Sequence, residues 1–519
     1  MKRLKSFVVG KWYEAGAGFV SLVDPSTEEE IAEASSDGLD FAAVLEHARG
    51  RGGPALRELS YAERGGLLKA MSKVLRDARD ELLELSRRNN GTTAGDGSFD
   101  IDGASGTLAY YASLATGLGE QPLWRDGDGV QLARSEAFWG QHLLLPRPGV
   151  AVHINAFNFP AWGFAEKAAC ALLAGMPVVT KPATATALVT ERAIELIVEA
   201  GVLPDGALQL VCGSTGDLLE RLGAYDVLAF TGSAATAEHL RRAASERGAS
   251  FRFNVEADSL NAAILAPDAG EGDSFDLFVR DVTREMTQKA GQKCTAVRRV
   301  LVPEALVGRA EEALAARLEK TITGNPADES VRMGPLATAA QLADSLAGVL
   351  ELSTAARIVH GTGRRSDGVG SPEGKGFFLA PTLLRAADAT DGPIHQREVF
   401  APVATLIPYD GSSAEAARIA ALAGGTLVTS AYGDDADWTR ELVAAVGSST
   451  GRLYLGSASS AAEAPGSGVA LPQTLHGGPG RAGDGAELGG LRGLEIYSQR
   501  IAVQGSRELV ERLSATDGD

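Results

Sequence analysis

A chain of 519 residues is too long for one hydrophobic core, and its make-up (45% apolar, 22% charged) is that of a globular protein of two or three domains. A net charge of −18 supplies no basic stripe for phosphate, which argues against a nucleic-acid partner, and three cysteines cannot form a disulfide framework. No apolar run approaches the ~20 residues of a membrane span, and the basic start "MKRLKSFVVGKWYEAG" has no signal-peptide core. The expectation is a soluble cytoplasmic protein without a membrane partner.

In chain order, residues 60–91 read as one helix. Ser60 and Glu63 form a capping box, Leu67, Leu68, Met71, Val74, Leu75, Ala78 and Leu82 repeat at helical spacing, and "RRNNG" is the stop. Residues 130–149 read as a hairpin outside the main pattern. From 150 to 256, strand-like runs ("VAVHI", "PVVT", "ALQLV", "DVLAF", "SFRFNVE") alternate with helical ones ("AWGFAEKAACALLAG", "ALVTERAIELIVEAG", "GDLLERLG", "SAATAEHLRRAASERG"). Such alternation predicts a mainly parallel sheet covered on both faces, with ligands at the carboxyl ends of its strands. A second α/β series runs through "SFDLFVRDVTREMTQKAG", "RRVLVP", "LVGRAEEALAARLEKTIT", "ATLIPYD", "TLVTSAYG" and "GRLYLGS". The glycine-rich stretch 475–493 reads as a long loop, "LEIYSQRIAVQG" as a strand, and the tail "SATDGD" as disordered. The two isolated β segments are expected to pair with each other or with another subunit.

Four places offer chemistry. Cys170 and Cys212 sit in apolar runs and read as buried small hydrophobes. Cys294, in "QKAGQKCTAVRRV", follows a helix and has Lys293 beside it, a setting that exposes and activates a thiol; the plain alternative is an inert loop cysteine. In "AFTGSAATAEHL" a strand passes through Gly232 and Ser233 into a helix, offering free amides to an anion, although Ser233 is equally an ordinary N-cap. Asn158 in "INAFNFPAWGF" stands past a strand end, able either to donate to an oxyanion or to cap a helix. Glu256 ends an apolar strand, as a general base or as an ion-pair partner. No metal site is expected.

Taken in order, "NFP", "KPA", "FTGS", the strand-ending Glu256, "GQKC", "PTLL", "REVFAPV" and the glycine-rich C-terminal stretch resemble the NAD(P)-dependent aldehyde dehydrogenase superfamily over nearly the whole chain. The resemblance implies two doubly wound, Rossmann-like α/β domains and a small β oligomerisation flap. The cofactor-binding domain would be 1–129 and 150–257, with 475–493 returning to it; 258–474 would be catalytic; 130–149 and 494–507 would carry a homodimer contact. It implies Cys294 as nucleophile and Asn158 with the Cys294 backbone N–H as oxyanion hole. Glu256 would activate water, with Lys167 the catalytic-site lysine often found near that glutamate and Glu487 a second glutamate on the water and proton path. For the cofactor it implies Lys181 and its neighbours Ala183 and Thr184 at the adenosine ribose, Gly232 and Ser233 at the pyrophosphate, Glu398 at the nicotinamide ribose and Phe400 at the nicotinamide.

Three departures stand out. Thr184 in "KPAT" replaces the acid common in NAD-preferring members, which with Lys181 predicts NADP as cofactor. "GSAATA" has Ala237 where a glycine is usual, and "FAP" has Ala401. "VEADSLN" and "LHGGPGRAGDGAELGGLRGLEIYSQRIAVQG" are similar to the dehydrogenases of aerobic aromatic degradation that act on CoA-linked semialdehydes, in the phenylacetate ring-opening and benzoyl-CoA epoxidation routes. The former carry a further hydratase domain after the dehydrogenase, so with the sequence stopping at 519 the benzoate-route enzymes are the expected nearer match. The implied reaction is NADP-dependent oxidation of a CoA-linked aldehyde to a free acid, since members that transfer the acyl group to CoA usually lack the glutamate. Trp162 and Phe159 are candidate walls of a narrow tunnel that admits the aldehyde arm and leaves the CoA thioester outside. The competing readings are a general aldehyde dehydrogenase without CoA-ester specificity, a non-redox cysteine acyltransferase, and a non-catalytic protein on the same fold.

Overall fold

The alternation predicted for residues 150–256 is present in the computed structural model, which describes residues 1–121 and 123–513. A seven-stranded sheet runs in the order Arg252–Glu256, Val227–Thr231, Ala151–Ile154, Val178–Lys181, Leu208–Leu210, Ser6–Val8, Lys11–Tyr13. The first five strands are parallel, and Ser6–Val8 closes that edge antiparallel to Leu208–Leu210. Register aligns the strand ends: Ile154 is opposite Lys181, and Thr231 opposite Glu256. The chain leaves these strands along one edge, where an α/β sheet holds its ligand.

A second seven-stranded sheet has the order Ala356–His360, Thr382–Ala386, Val403–Tyr409, Arg299–Pro303, Ala262–Leu265, Thr426–Tyr432, Thr450–Gly456. It is parallel except for Ala356–His360. Phe138–Pro146 pairs antiparallel with both Ser498–Ser506 and Trp124–Gln131, so the two isolated β segments of the sequence form one three-stranded flap. Among the described residues no helix is long and apolar enough to cross a membrane.

Several local expectations need correction. Residues 60–91 form two helices, Tyr61–Asp77 and Arg79–Asn90, not one. Ala78 breaks the run (φ −98°, ψ 14°), and Asp80 and Glu81 then occupy the first turn of the second helix, where its dipole favours them. The capping box and the Gly91 stop (φ 63°) are as read. "GDLLERLG" makes only a 3₁₀ turn, Leu218–Arg221. The stretch 475–493 is not a plain loop: Leu475–Gly478 and Gly485–Leu488 pair antiparallel, with His476 opposite Glu487. Its glycines let that hairpin lie on neighbouring backbone. A Cβ at Gly478 would meet the Thr426 carbonyl at 2.3 Å, and one at Gly485 the Val255 carbonyl at 2.2 Å. The helix Ala94–Leu118, which no periodicity in the sequence brought out, covers Trp162–Leu173; sandwiched between it and the sheet, the second helix buries even its Lys167. The tail "SATDGD" lies outside the described residues.

Candidate active site

Cys294 lies between the helix Gly272–Thr287 and the strand Arg299–Pro303, on a loop clamped by its own backbone. Lys289 and Ala290 (both φ 53°) and Gly291 (φ 67°) are left-handed in succession. Only glycine fits at Gly291, where a Cβ would meet the Ala401 carbonyl at 2.3 Å. The buried Arg298 guanidinium donates to the carbonyls of Gly291 (2.8 Å), Lys293 (3.3 Å) and Ala401 (2.9 Å). Asn261 Nδ2 donates to the carbonyls of Cys294 (2.7 Å) and Ala296 (2.9 Å). The two polar residues before the cysteine are engaged elsewhere. Lys293 Nζ reaches Glu285 and Gln288, each at 2.7 Å, and Gln292 Oε1 accepts from Ala337 N at 3.0 Å. Lys293 therefore positions the loop, and its Coulombic pull on the thiol is weaker than the opposing effects of burial and Glu256.

The sulfur opens into a cavity of about 670 Å³ that collects residues from the edges of both large sheets. Asn158 also lines it and donates one N–H of its amide to the Gln292 carbonyl at 3.0 Å; the second N–H has no partner among the described residues. Phe159 and Trp162 both line the cavity, and Phe99 meets each edge-on, at 5.8 and 5.1 Å. Trp162 is fixed by Nε1 donation to Thr107 Oγ1 (3.1 Å) and by Asp100, which accepts from its backbone N–H at 2.8 Å.

Behind the sulfur lies a run of buried charges. His476 Nε2 is 3.7 Å from Cys294 Sγ and 3.3 Å from Glu256 Oε1, and one ligand atom from each of the three residues lies within 4.8 Å of the others. Burial pushes Glu256 upward, but the His476 imidazole and then Lys167 outweigh it and hold the carboxyl below its usual range. Burial lowers His476, yet Glu256 and Glu166 leave it net raised. Burial and Glu256 together push the Cys294 thiol well above the ordinary value, so in this state the sulfur is protonated beside an ionised carboxylate. Further in, Lys167 Nζ touches Glu166 Oε1 and Glu487 Oε2, each at 3.0 Å, and Asn254 Nδ2 donates to Glu487 Oε1 at 3.1 Å. Burial opposes the Lys167 charge, but Glu487, Glu166 and Glu256 raise it overall; burial, partly offset by Lys167, raises Glu487.

The other arm of the cavity carries the remaining predicted residues. Lys181 and Ala183 line it; burial lowers the Lys181 ammonium, and no carboxylate among the described residues pairs with it. Thr184 lies beside this arm, outside the lining, and its hydroxyl donates to the Gly213 carbonyl at 3.2 Å. Gly232 and Ser233 line the cavity where the helix Ala234–Glu246 begins; Ser233 caps it, accepting from Thr236 N at 3.2 Å. The N-cap reading of Ser233 is thus seen directly, and Ala235 of the same helix start also lines the cavity. Glu398 Oε2 accepts from Ser259 N at 3.1 Å, Oε1 lies 3.4 Å from Arg298, and burial pushes its carboxyl up to about 7. Phe400 packs edge-on to Phe157 at 5.8 Å, with the Arg298 guanidinium 5.3 Å from its ring centroid. Cys170 and Cys212 are buried, and burial pushes Cys170 up to about 12, as befits inert thiols.

Sequence reasoning missed His476, Arg298 and Glu166. For His476 the signal was a single histidine at the head of "HGGPG"; for Glu166 it was the acid adjoining Lys167. Arg298 gave no signal in "AVRRV" beyond its charge, since its role is to gather carbonyls that only the fold brings together.

The site and fold define a class. The profile of the aldehyde dehydrogenase family matches residues 12–499, and the chain belongs to that family. It is 44% identical over 479 residues to 3,4-dehydroadipyl-CoA semialdehyde dehydrogenase of Aromatoleum evansii (92% of this chain, 93% of the relative). It is 30% identical over 409 residues to betaine aldehyde dehydrogenase of Bacillus subtilis (strain 168), covering 77% and 79% of the two chains. Among solved structures, 3,6-anhydro-L-galactose dehydrogenase in complex with NADP shares the fold at TM-score 0.84 (24% identity; 97% of this chain, 100% of that one). Betaine aldehyde dehydrogenase of Staphylococcus aureus in complex with NAD+ does so at 0.83 (24%; 97% and 95%).

Proposed function

We propose that this aldehyde dehydrogenase oxidises a CoA-linked semialdehyde, 3,4-dehydroadipyl-CoA semialdehyde or a close analogue, to the free acid with NADP in aerobic benzoate degradation. The observation that carries the reading is the meeting of Cys294, Asn158 and Glu256 at one end of a cavity whose other arm holds Lys181, Ser233 and Glu398. The identity of 44% across 92% of the chain supports the substrate class.

The residues fit a dinucleotide. Lys181 has no carboxylate partner among the described residues, the helix start at Ser233 would offer a backbone amide to a pyrophosphate, and Glu398 brings a buried carboxyl to the cavity lining. Lys181 and Thr184 would hold the adenosine ribose, with no acid there to repel a 2′-phosphate. Glu398 would hold the nicotinamide ribose, and Phe400 would pack beside the ring. When bound, the nicotinamide supplies the hydride acceptor.

The chain's own residues do the rest. Cys294 sulfur attacks the aldehyde carbon, and the second N–H of Asn158 with the Cys294 backbone N–H receives the oxyanion. One such donor is worth roughly 3–4 kcal/mol. The acyl group is left as a thioester on Cys294. Glu256, ionised and beside the sulfur, takes a proton from the water that hydrolyses it. Phe159 and Trp162 narrow the approach, which keeps the CoA thioester away from the nucleophile. The flap leaves Val130, Leu132, Phe138 and Ile501 exposed, and we assign it to pairing with a second copy in a cytoplasmic homodimer.

The test is steady-state turnover with NADP against NAD on CoA-linked and free six-carbon semialdehydes. The reading expects preference for NADP and for the CoA-linked substrate. Equal rates on both aldehydes would favour a general aldehyde dehydrogenase, and absence of nicotinamide reduction a non-redox acyltransferase.

A further inference from the structure

The glycine-rich hairpin gives the site a group that the sequence did not advertise. Because Leu475–Gly478 and Gly485–Leu488 pair with His476 opposite Glu487, both side chains leave the same face of the hairpin and flank Glu256. His476 is 5% exposed, and its Nε2 has two neighbours, Cys294 Sγ at 3.7 Å and Glu256 Oε1 at 3.3 Å. A ring nitrogen carries one hydrogen, so Nε2 can donate to only one of them at a time.

We propose that His476 is a catalytic residue of this site: its imidazolium is a single cation shared between the Cys294 sulfur and the Glu256 carboxylate, and its Nε2–H serves whichever of the two is the anion. At rest Glu256 is the anion and the sulfur is a thiol. For attack, the thiol proton moves from Sγ to a Glu256 oxygen, the C–S bond forms, and the carbonyl electron pair goes to the oxygen held by Asn158. Through that transfer the imidazolium stays charged and turns its N–H to the sulfur, so the net charge of the three groups is unchanged. Glu256 then releases the proton to solvent and is again the anion when it takes one from water. The thiolate expelled as the C–S bond breaks meets the same N–H. A buried anion without a partner is costly, and this arrangement leaves neither anion unpaired at any stage.

The charged groups around the ring are Glu256 and Glu166, which favour its cation, and Arg452, which opposes it; Lys167 and Glu487 lie beyond Glu256. Burial opposes the cation but Glu256 outweighs it and raises the ring above its ordinary value, so the cation persists to higher pH than in a free histidine and is lost as pH rises further.

The proposal rests on Cys294 as the nucleophile, and the experiment separates the two. Alkylation of the intact enzyme by iodoacetamide is followed against pH, with Cys294→Ala marking the signal of that thiol. In wild type, alkylation of Cys294 should stop turnover. His476→Gln should slow it at neutral pH by about tenfold or more and move its profile to higher pH. His476→Lys, which restores a cation, should recover part of the rate, with NADP binding by tryptophan quenching unchanged in both variants. A His476→Gln profile and rate equal to wild type overturn the shared-cation role while leaving the nucleophile intact. Alkylation of Cys294 that leaves turnover untouched overturns the nucleophile assignment and the proposal with it. Should the variants not fold, the ¹⁵N shifts of His476 in the wild-type enzyme decide: imidazolium at pH 7 supports the proposal, neutral imidazole overturns it.

Discussion

On one side of Glu256, the His476 ring lies 3.3 Å from its carboxylate and 3.7 Å from Cys294; on the other, the Lys167 ammonium is held by Glu166 and Glu487, both at 3.0 Å. Each side places one cation among buried anionic groups, yet the two differ in kind. Lys167 is saturated by two carboxylates that raise it further above an already high value, so its charge is fixed. His476 is raised by Glu256 and Glu166 against its burial, and its Nε2 has two candidate partners for one N–H. The lysine side therefore holds a fixed cation against Glu487, whose buried carboxyl is itself raised to about 7, while the histidine side offers one N–H to two partners.

Breaking the histidine side at the sulfur should give the largest effect. Cys294→Ala is expected to lower kcat by about 10⁴-fold or more, read as nicotinamide reduction, with dinucleotide binding retained. Breaking the lysine side should act on stability before chemistry. Lys167→Met leaves Glu166 and Glu487 buried without their cation, for a loss of about 3–5 kcal/mol in denaturant unfolding. A Lys167→Met protein as stable as wild type would remove the distinction between a fixed buried cation and a shared one. Asn158→Ala touches neither cation and deletes the second amide N–H; kcat should fall by about 10²–10³ with little change in KM.

The smallest expected effect lies outside both clusters. Burial raises Glu398 in the folded state to about 7 from an ordinary 4.5. Between those values the folded protein holds the proton that the unfolded chain has released, so stability declines as pH rises through the window and the full penalty stands above it. Glu398→Gln should flatten that decline, raising the stability of the cofactor-free protein at pH 8 by about 1–3 kcal/mol and leaving it unchanged at pH 4.

Much of this was legible in the sequence, for identifiable reasons. The strand and helix runs of 150–256 are short, apolar and bounded by turn residues, so their period shows directly. Asn158 and Glu256 stand out because each lies at or just past a strand end, where a polar group needs a reason, and Cys294 because it follows a helix with Lys293 beside it. What escaped depends on contacts between distant segments. The 475–493 hairpin looked like a loop because its glycines, needed for close backbone approach, hide any strand pattern. Lys293 looked like the activator of the thiol because it is adjacent in sequence, whereas its ammonium points to Glu285 and the group that reaches the sulfur comes from residue 476. The break at Ala78 falls inside an uninterrupted helical period, so the apolar pattern does not reveal it.

The central claim is that the substrate passes through a thioester on Cys294 which Glu256 resolves. The most direct measurement is intact-protein mass spectrometry of Glu256→Gln after prolonged incubation with NADP and the CoA-linked semialdehyde. The account predicts one acyl adduct per chain, mapped to Cys294, with one equivalent of reduced nicotinamide and no further turnover. Turnover at the wild-type rate without an adduct, or an adduct on any residue other than Cys294, would contradict it.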